Sequence, residues 1–221
     1  MKFFWKILIM ISLIAGQDWP ALDRYSSENK LLGLPKADEK RVVFMGNSIT
    51  ESWSVYQPEF FKGKSYINRG ISGQTTPQML IRFRPDVIDL KPQIVVILAG
   101  INDIAGNTGP STEKMIVDNI VSMAELAKSN SVDVILCSIL PANDFSWSQN
   151  QNPSPKILAV NQALKKYSKI NGMVYLDYYT SMVDEKEGLI EDYGLDSVHP
   201  NKKGYQVMSK LLEKKIIEIL N

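Results

Sequence analysis

The sequence predicts a single α/β domain with a central parallel sheet that helices cover on both faces. Short apolar runs alternate along the chain with longer amphipathic stretches, which is the pattern of βαβ units. The run at residues 93–100 is almost continuously apolar, as in a strand buried on both sides. The 221 residues are 44% hydrophobic and show no repeat or change of composition, so we expect one domain with a sizeable core.

The strands are expected where apolar runs end at glycine or at polar residues. They are residues 41–46, 64–68, 93–100, 132–140 and 173–176. Helical spacing predicts helices at residues 22–31, 76–90, 111–130 and 155–171, and a terminal helix from residue 201. Pro85 is expected to end or kink the second of these helices, because proline lacks the N–H that a helix interior requires.

A serine, an aspartate and a histidine suggest hydrolytic chemistry. His199 is the only histidine of the chain, and Asp196 precedes it by one helical turn. Ser48 follows the first predicted strand, at a turn that would expose its hydroxyl. A nucleophilic serine needs a base that works near neutral pH and a carboxylate that holds this base in one tautomer. The sequence therefore predicts a triad of Ser48, His199 and Asp196.

Two further polar positions follow strands of the same predicted sheet. Gly73 follows the second strand and Asn102 follows the third. Ligands of open α/β sheets bind beyond the carboxyl ends of the strands, so these positions should lie near Ser48. The backbone N–H groups of Ser48 and Gly73 and the amide of Asn102 are the candidate donors to an oxyanion.

These residues together resemble the four sequence blocks of the SGNH hydrolases, also called GDSL esterases. The blocks are Gly46-Asn47-Ser48, Gly73 within residues 71–76, Asn102 within residues 100–103, and Asp196 to His199. The resemblance implies a flavodoxin-like three-layer α/β/α domain, with Ser48 as nucleophile, an oxyanion hole of Ser48, Gly73 and Asn102, and no cofactor. This sequence departs from the family pattern at Asn47, where most members have aspartate. Because the catalytic acid of the family precedes the histidine, this change should leave the triad intact.

Four residues are candidate substrate contacts. Trp53, Phe145 and Trp147 are expected in loops near the site, where aromatic rings could stack on sugars or line an acyl pocket. The alternative for each is that it anchors its loop in the core. Asn47 is the fourth candidate because it adjoins Ser48.

The sequence gives little indication of a second catalytic acid, a cysteine nucleophile, or a metal-, phosphate- or nucleic-acid-binding site. Asp103 is expected to have a structural role in its loop, and Cys137, the only cysteine, to be buried in a strand. One histidine, one cysteine and scattered carboxylates suggest no metal site, and no glycine-rich phosphate loop is present. The formal net charge of +1 gives no basic excess for nucleic acid.

The start of the chain has the pattern of an export signal. Residues 1–16 combine Lys2 and Lys6 with a short apolar run, too short to span a bilayer. We expect a cleaved signal peptide at 1–16, a leader at 17–40 packed on the domain, and a hydrolase domain at 41–221. The mature protein would then be periplasmic or secreted, without stable membrane insertion.

The expected function is that of an exported serine esterase acting on short acyl groups, in particular O-acetyl groups on carbohydrate. One alternative is a lysophospholipase or thioesterase with a longer acyl pocket. A second is a glycan-binding module that has lost its chemistry, for which Asn47 is the only support. The sequence leaves the oligomeric state open.

Overall fold

A computed structural model of the protein describes residues 18–147 and 151–221. Its sheet has five parallel strands in the order β2-β1-β3-β4-β5. This is the order of flavodoxin-like folds, so the predicted fold class is confirmed. The predicted signal peptide at residues 1–16 lies outside the described residues. The strands are β1 (Val42–Gly46), β2 (Tyr66–Gly70), β3 (Ile94–Leu98), β4 (Asp133–Cys137) and β5 (Val174–Leu176).

Helices flank the sheet in two layers. Helices α4, α6 and α7 pack against one another on one face, whereas α2 and α9 pack together on the other. Within the described ranges, no helix is long and apolar enough to cross a membrane. The helices are α1 (Ser26–Leu32), α2 (Ser48–Tyr56), α3 (Pro58–Phe61), α4 (Thr76–Asp86), α5 (Ile101–Ile104), α6 (Glu113–Ser129), α7 (Ser154–Ile170), α8 (Tyr179–Met182) and α9 (Lys202–Leu220).

The predicted strands and long helices are present, with shifted ends. Helix α4 ends at Asp86, just after Pro85, and a separate 3₁₀ turn follows at Ile88–Leu90. The helix expected at residues 22–31 begins only at Ser26. Helices α2, α3, α5 and α8 are not among the elements predicted from the sequence. They have nine residues or four, and such short helices depend on tertiary packing rather than on a periodic pattern.

An aromatic cluster holds α2 against β1 and α9. Trp53 on α2 is stacked on Phe60, with ring centroids 5.5 Å apart, and meets Phe44 of β1 edge-on at 5.9 Å. Its indole N–H donates to Ser209 Oγ of α9 at 2.9 Å. The hydroxyl of Tyr205, also on α9, donates to the Ile49 carbonyl at 2.8 Å. The amino ends of α2 and α9 are therefore fixed relative to each other.

Glycines at the ends of β1 and β2 let α2 lie close to the sheet. A Cβ on Gly70 would lie 2.1 Å from the backbone nitrogen of Glu51. A Cβ on Gly46 would lie 2.0 Å from Thr50 Oγ1 and 2.7 Å from the Leu98 carbonyl oxygen. Any side chain at either position would displace the helix that begins at Ser48.

A buried carboxylate joins α5 to α4. Asp103 is buried and accepts hydrogen bonds from the Thr76 backbone N–H at 3.0 Å and from Thr76 Oγ1 at 2.6 Å. Burial raises the pKa of Asp103 to about 6, although the bonds from Thr76 act in the opposite direction. Asp103 therefore has the structural role expected from the sequence.

Replacing Gly70 with alanine should destabilise the fold by about 3 kcal/mol, because the new Cβ meets backbone atoms that cannot rotate away. Gly63→Ala is the matched control: its φ is +73° and its Cβ would meet no atom within 4 Å. Gly63→Ala should lower the free energy of unfolding by about 1 kcal/mol, because alanine is strained in this backbone conformation. Urea unfolding measures both changes, and equal losses would contradict the close approach at Gly70.

The raised pKa of Asp103 should make stability depend on pH. Its folded-state pKa of about 6 lies above the unfolded value of about 3.9, so its contribution is complete below pH 4 and is lost as the pH rises through 6. The Asp103→Asn variant has no carboxyl group at this position and therefore does not lose this stability as the pH rises. Its unfolding free energy relative to the natural protein should rise by about 3 kcal/mol between pH 4 and pH 7.

Chemical denaturation at several pH values checks this expectation. Asp177→Asn is the control, because Asp177 accepts the same pair of bonds, from Thr180 N–H at 3.0 Å and Thr180 Oγ1 at 2.9 Å, at a partly exposed turn. Parallel pH profiles for Asp103→Asn and the natural protein would rule out a titrating Asp103.

Candidate active site

The register of the sheet places the three predicted site loops at one edge. Gly46, the last residue of β1, pairs with Gly70 at the end of β2 and with Leu98 at the end of β3. Ser48 and Asn102 follow their strands within a few residues, as Gly73 follows β2. The loop residues interact directly, since the Asn102 amide donates to the Gln74 carbonyl at 3.0 Å.

Ser48 is the first residue of α2, and Asn47 caps this helix. The Asn47 Oδ1 accepts the Ile49 backbone N–H at 3.0 Å, and its side chain is buried. Asparagine and aspartate cap helices about equally well, so the departure from the usual family residue preserves the turn. Burial of the Asn47 side chain and the use of its Oδ1 in the cap favour a structural role, and contact of Asn47 with substrate stays a prediction.

The three predicted triad residues form one hydrogen-bonded chain. Ser48 Oγ lies 3.0 Å from His199 Nε2. His199 Nδ1 lies 2.9 Å from Asp196 Oδ2 and 3.1 Å from Oδ1. With the Nδ1 proton donated to Asp196, Nε2 is free to accept the serine proton, which is the tautomer that a general base requires.

Asp196 is fixed by its own loop. Its Oδ1 accepts the backbone N–H groups of Val198 at 2.8 Å and His199 at 2.7 Å. Burial alone would raise the pKa of Asp196, but these two N–H groups and the imidazole outweigh it and lower the pKa. Asp196 therefore remains ionised and can stabilise a protonated His199.

Asn201 supports this loop, a role that was not predicted from the sequence. Its Nδ2 donates to the carbonyls of Asp192 at 2.9 Å and Gly194 at 3.0 Å, while its Oδ1 accepts from Lys203 N–H at 2.8 Å at the start of α9. The sequence feature that could have indicated this role is the position of Asn201 at the expected start of the terminal helix, where asparagine is a common N-cap.

The candidate oxyanion donors come from three neighbouring segments, which are the start of α2, the loop after β2 and the short helix α5. Gly73 has a φ of +77°, a conformation that glycine adopts without strain, and its carbonyl accepts from Asn107 Nδ2 at 3.2 Å. Asn102 is buried, and its bond to the Gln74 carbonyl uses only one of the two amide protons. Ser48 begins a helix, where the first N–H groups have no partner within the helix.

The three aromatic candidates have different positions. Trp147 is 44% exposed, and its ring centroid lies 6.1 Å from that of His199. Phe145 is fully buried at 5.2 Å from Trp147 and supports it from the core side. Trp53 belongs to α2 and to the aromatic cluster. Burial of Phe145 and Trp53 favours the alternative that they anchor their segments in the core, whereas Trp147 keeps exposed surface and stays the candidate for substrate contact.

Within the described part of the chain, no three His, Cys, Asp or Glu side chains come together as a metal site requires. Cys137 is buried in β4, and this burial raises the pKa of its thiol. The chemistry that the described side chains can perform at this edge is acyl transfer by an activated serine.

Comparison with known proteins agrees with this chemistry. Residues 44–207 match the GDSL-like Lipase/Acylhydrolase family. A crystal structure of a candidate acylhydrolase from Bacteroides fragilis is 49% identical, with a TM-score of 0.91, covering 93% of this chain and 100% of that one. A GDSL-like lipase from Bacteroides thetaiotaomicron is 47% identical, with a TM-score of 0.88 and coverages of 90% and 98%.

A more distant relative is an acetylxylan esterase from Xylanibacter ruminicola, 25% identical over 219 residues and 83% of this chain. The present chain spans only 44% of the length of that esterase. The family match covers most of the chain and includes all four sequence blocks from Gly46 to His199. The chain therefore belongs to the GDSL-like lipase/acylhydrolase family, a family of ester hydrolases.

Proposed function

We propose that this protein is an exported esterase that removes short acyl groups, above all acetyl, from hydroxyl groups of carbohydrates. The observation that carries the proposal is the hydrogen-bonded chain from Ser48 Oγ through His199 to Asp196, with both joining distances near 3 Å. A serine in this setting is an activated nucleophile. The reaction needs no cofactor.

The first half of the reaction forms an acyl-enzyme. Ser48 Oγ attacks the ester carbonyl carbon while His199 Nε2 takes the serine proton, and Asp196 stabilises the imidazolium. The carbonyl oxygen becomes an oxyanion that accepts hydrogen bonds from Ser48 N–H, Gly73 N–H and Asn102 Nδ2. The intermediate then expels the sugar alkoxide, which receives the proton from His199.

The second half repeats these steps with water. His199 takes a proton from water, the hydroxide attacks the acyl carbon, and the Ser48 oxygen leaves with the proton returned by His199. The products are the carboxylic acid and the free enzyme. Because the same donors serve both oxyanions, one oxyanion hole lowers both barriers.

Trp147 supports a carbohydrate as the substrate. It presents a partly exposed indole beside His199, the residue that protonates the leaving alcohol. A flat apolar ring at this position can pack against the face of a sugar whose hydroxyl carries the acyl group. The likeness to an acetylxylan esterase supports acetyl as that group, and the export pattern at residues 1–16 supports a substrate outside the cytoplasm.

The main alternative is a lysophospholipase or thioesterase with a longer acyl chain. It differs from the proposal in acyl preference, which a series of esters measures directly. A glycan-binding module without chemistry is the second alternative. Its only support was Asn47, which serves as a helix cap.

Hydrolysis of p-nitrophenyl acetate, butyrate and octanoate tests the reaction. We expect acetate to be the best substrate and Ser48→Ala to lower kcat by at least about 10³-fold, since it removes the nucleophile. Ser54→Ala is the control, because Ser54 lies on the same helix and its hydroxyl bonds to the Glu51 carbonyl and to Asn68 Nδ2, neither of which belongs to the predicted triad. A preference for octanoate would favour the lipid alternative, and equal turnover by the Ser48 variant would exclude the triad.

Replacing Trp147 with alanine tests the substrate class. The KM for an acetylated xylo-oligosaccharide should rise about 5- to 10-fold through loss of the stacking surface, whereas kcat/KM for p-nitrophenyl acetate should change less than about 3-fold. Trp147→Phe should restore most of the affinity. An unchanged KM for the oligosaccharide would contradict a sugar platform at this position.

A further inference from the structure

Arg82 of α4 is a fully buried charge with three different partners. It donates from Nη1 to Asp86 Oδ2 at 3.0 Å, from Nη2 to the Gly46 carbonyl at 3.0 Å and from Nε to Gln74 Oε1 at 2.5 Å. Removing a guanidinium from water is costly, and apolar residues of similar size often replace a buried ion pair without loss of stability. The ion pair with Asp86 therefore does not by itself explain why position 82 is an arginine rather than an apolar residue.

The other two partners belong to the loops of the active site. Gly46 is the last residue of β1 and lies two positions before Ser48. Gln74 directly follows Gly73, and its backbone carbonyl orients the amide of Asn102 at 3.0 Å. One guanidinium thus bonds both to the backbone that leads to Ser48 and to the loop that carries Gly73 and orients the amide of Asn102.

Gln74 extends this connection to the leader. Its side chain is buried, and its Nε2 donates to the Pro20 carbonyl at 2.7 Å while its Oε1 accepts from Arg82. The neighbouring Gln78 donates in the same way to the Trp19 carbonyl at 2.7 Å. Pro20 is therefore joined to the loop that carries Gly73, and Trp19 to the first turn of α4.

We propose that Arg82 and Gln74 are positioning residues that set the distance between Ser48 and the oxyanion donors Gly73 and Asn102. This inference rests on the ester hydrolysis proposed above. The donors of an oxyanion hole act only when they meet the oxygen at hydrogen-bond distance, and a displacement of about 1 Å can cost about 100-fold in rate. Arg82 and Gln74 touch no reacting atom, so their loss should lower kcat more than it changes KM.

The protein contains a matched control at the opposite end of the sheet. Arg41 is also buried and donates to one carboxylate, Glu39 Oε1 at 2.6 Å, and to two carbonyls, those of Gly33 at 2.9 Å and Leu90 at 2.8 Å. It precedes β1, whereas the active site follows the strand. Arg41 and Arg82 therefore have the same kind of structural role, but only Arg82 reaches the site loops.

The test compares Arg82→Lys, Gln74→Met and Arg41→Lys with the natural protein. The measurements are kcat and KM for p-nitrophenyl acetate, the melting temperature, and inhibition by methylboronic acid, which adds to the serine as an analogue of the tetrahedral intermediate. Gln74→Met keeps the side-chain volume and provides a second variant if Arg82→Lys fails to fold.

We expect Arg82→Lys and Gln74→Met to lower kcat about 10- to 100-fold with KM within about 3-fold, and boronic acid inhibition to weaken in parallel. Arg41→Lys should lower the melting temperature while kcat stays within about 2-fold. Unchanged kcat in both site variants, or an equal loss in Arg41→Lys, would overturn the inference.

The proposed function can fail separately from this inference. Turnover that is absent from the natural protein, or that Ser48→Ala retains, would remove the esterase and the positioning role together. Turnover that depends on Ser48 but is unaffected by the Arg82 and Gln74 variants would remove only the positioning role.

Discussion

The packing of α2 against α9 is the interaction on which the active site depends. Ser48 begins α2, and α9 begins three residues after His199, although 151 positions separate the serine from the histidine. Trp53 and Tyr205 join the two helices by ring contact and by hydrogen bonds to Ser209 and Ile49. Since the helices start at the same edge of the sheet, this apolar contact brings Ser48 Oγ within 3.0 Å of His199 Nε2.

The segments that carry the candidate oxyanion donors Gly73 and Asn102 are held together by buried hydrogen bonds rather than by apolar packing. There the loops are joined by buried polar groups, with Arg82 and Gln74 between the end of β1 and the amide of Asn102. Buried hydrogen bonds are directional, and leaving one unmade is costly, so they fix loop positions more sharply than apolar contact does. Ser48 lies between the packed helices α2 and α9 on one side and the hydrogen bonds of Arg82 and Gln74 on the other.

Two aspartates near the site show how environment assigns roles to the same side chain. Asp196 accepts backbone N–H groups in a partly exposed loop, and its pKa is lowered. Asp103 is enclosed beside Thr76, and burial raises its pKa to about 6. The first is suited to stabilise an imidazolium, whereas the second holds the start of α4. The sequence positions of the two aspartates alone do not reveal this difference.

The sequence by itself determined the fold class, the long elements and the candidate residues for a triad. Strands β1 and β3 are buried on both faces, so their apolar runs were recognisable, and the only histidine left one choice of base. The tertiary structure decided which aromatic side chains face the site: Trp53 and Phe145 are enclosed, whereas Trp147 is exposed. It also decided the short helices and the bonds of Arg82. These features arise from contacts between segments far apart in the chain, and local patterns carry no information about which segments meet.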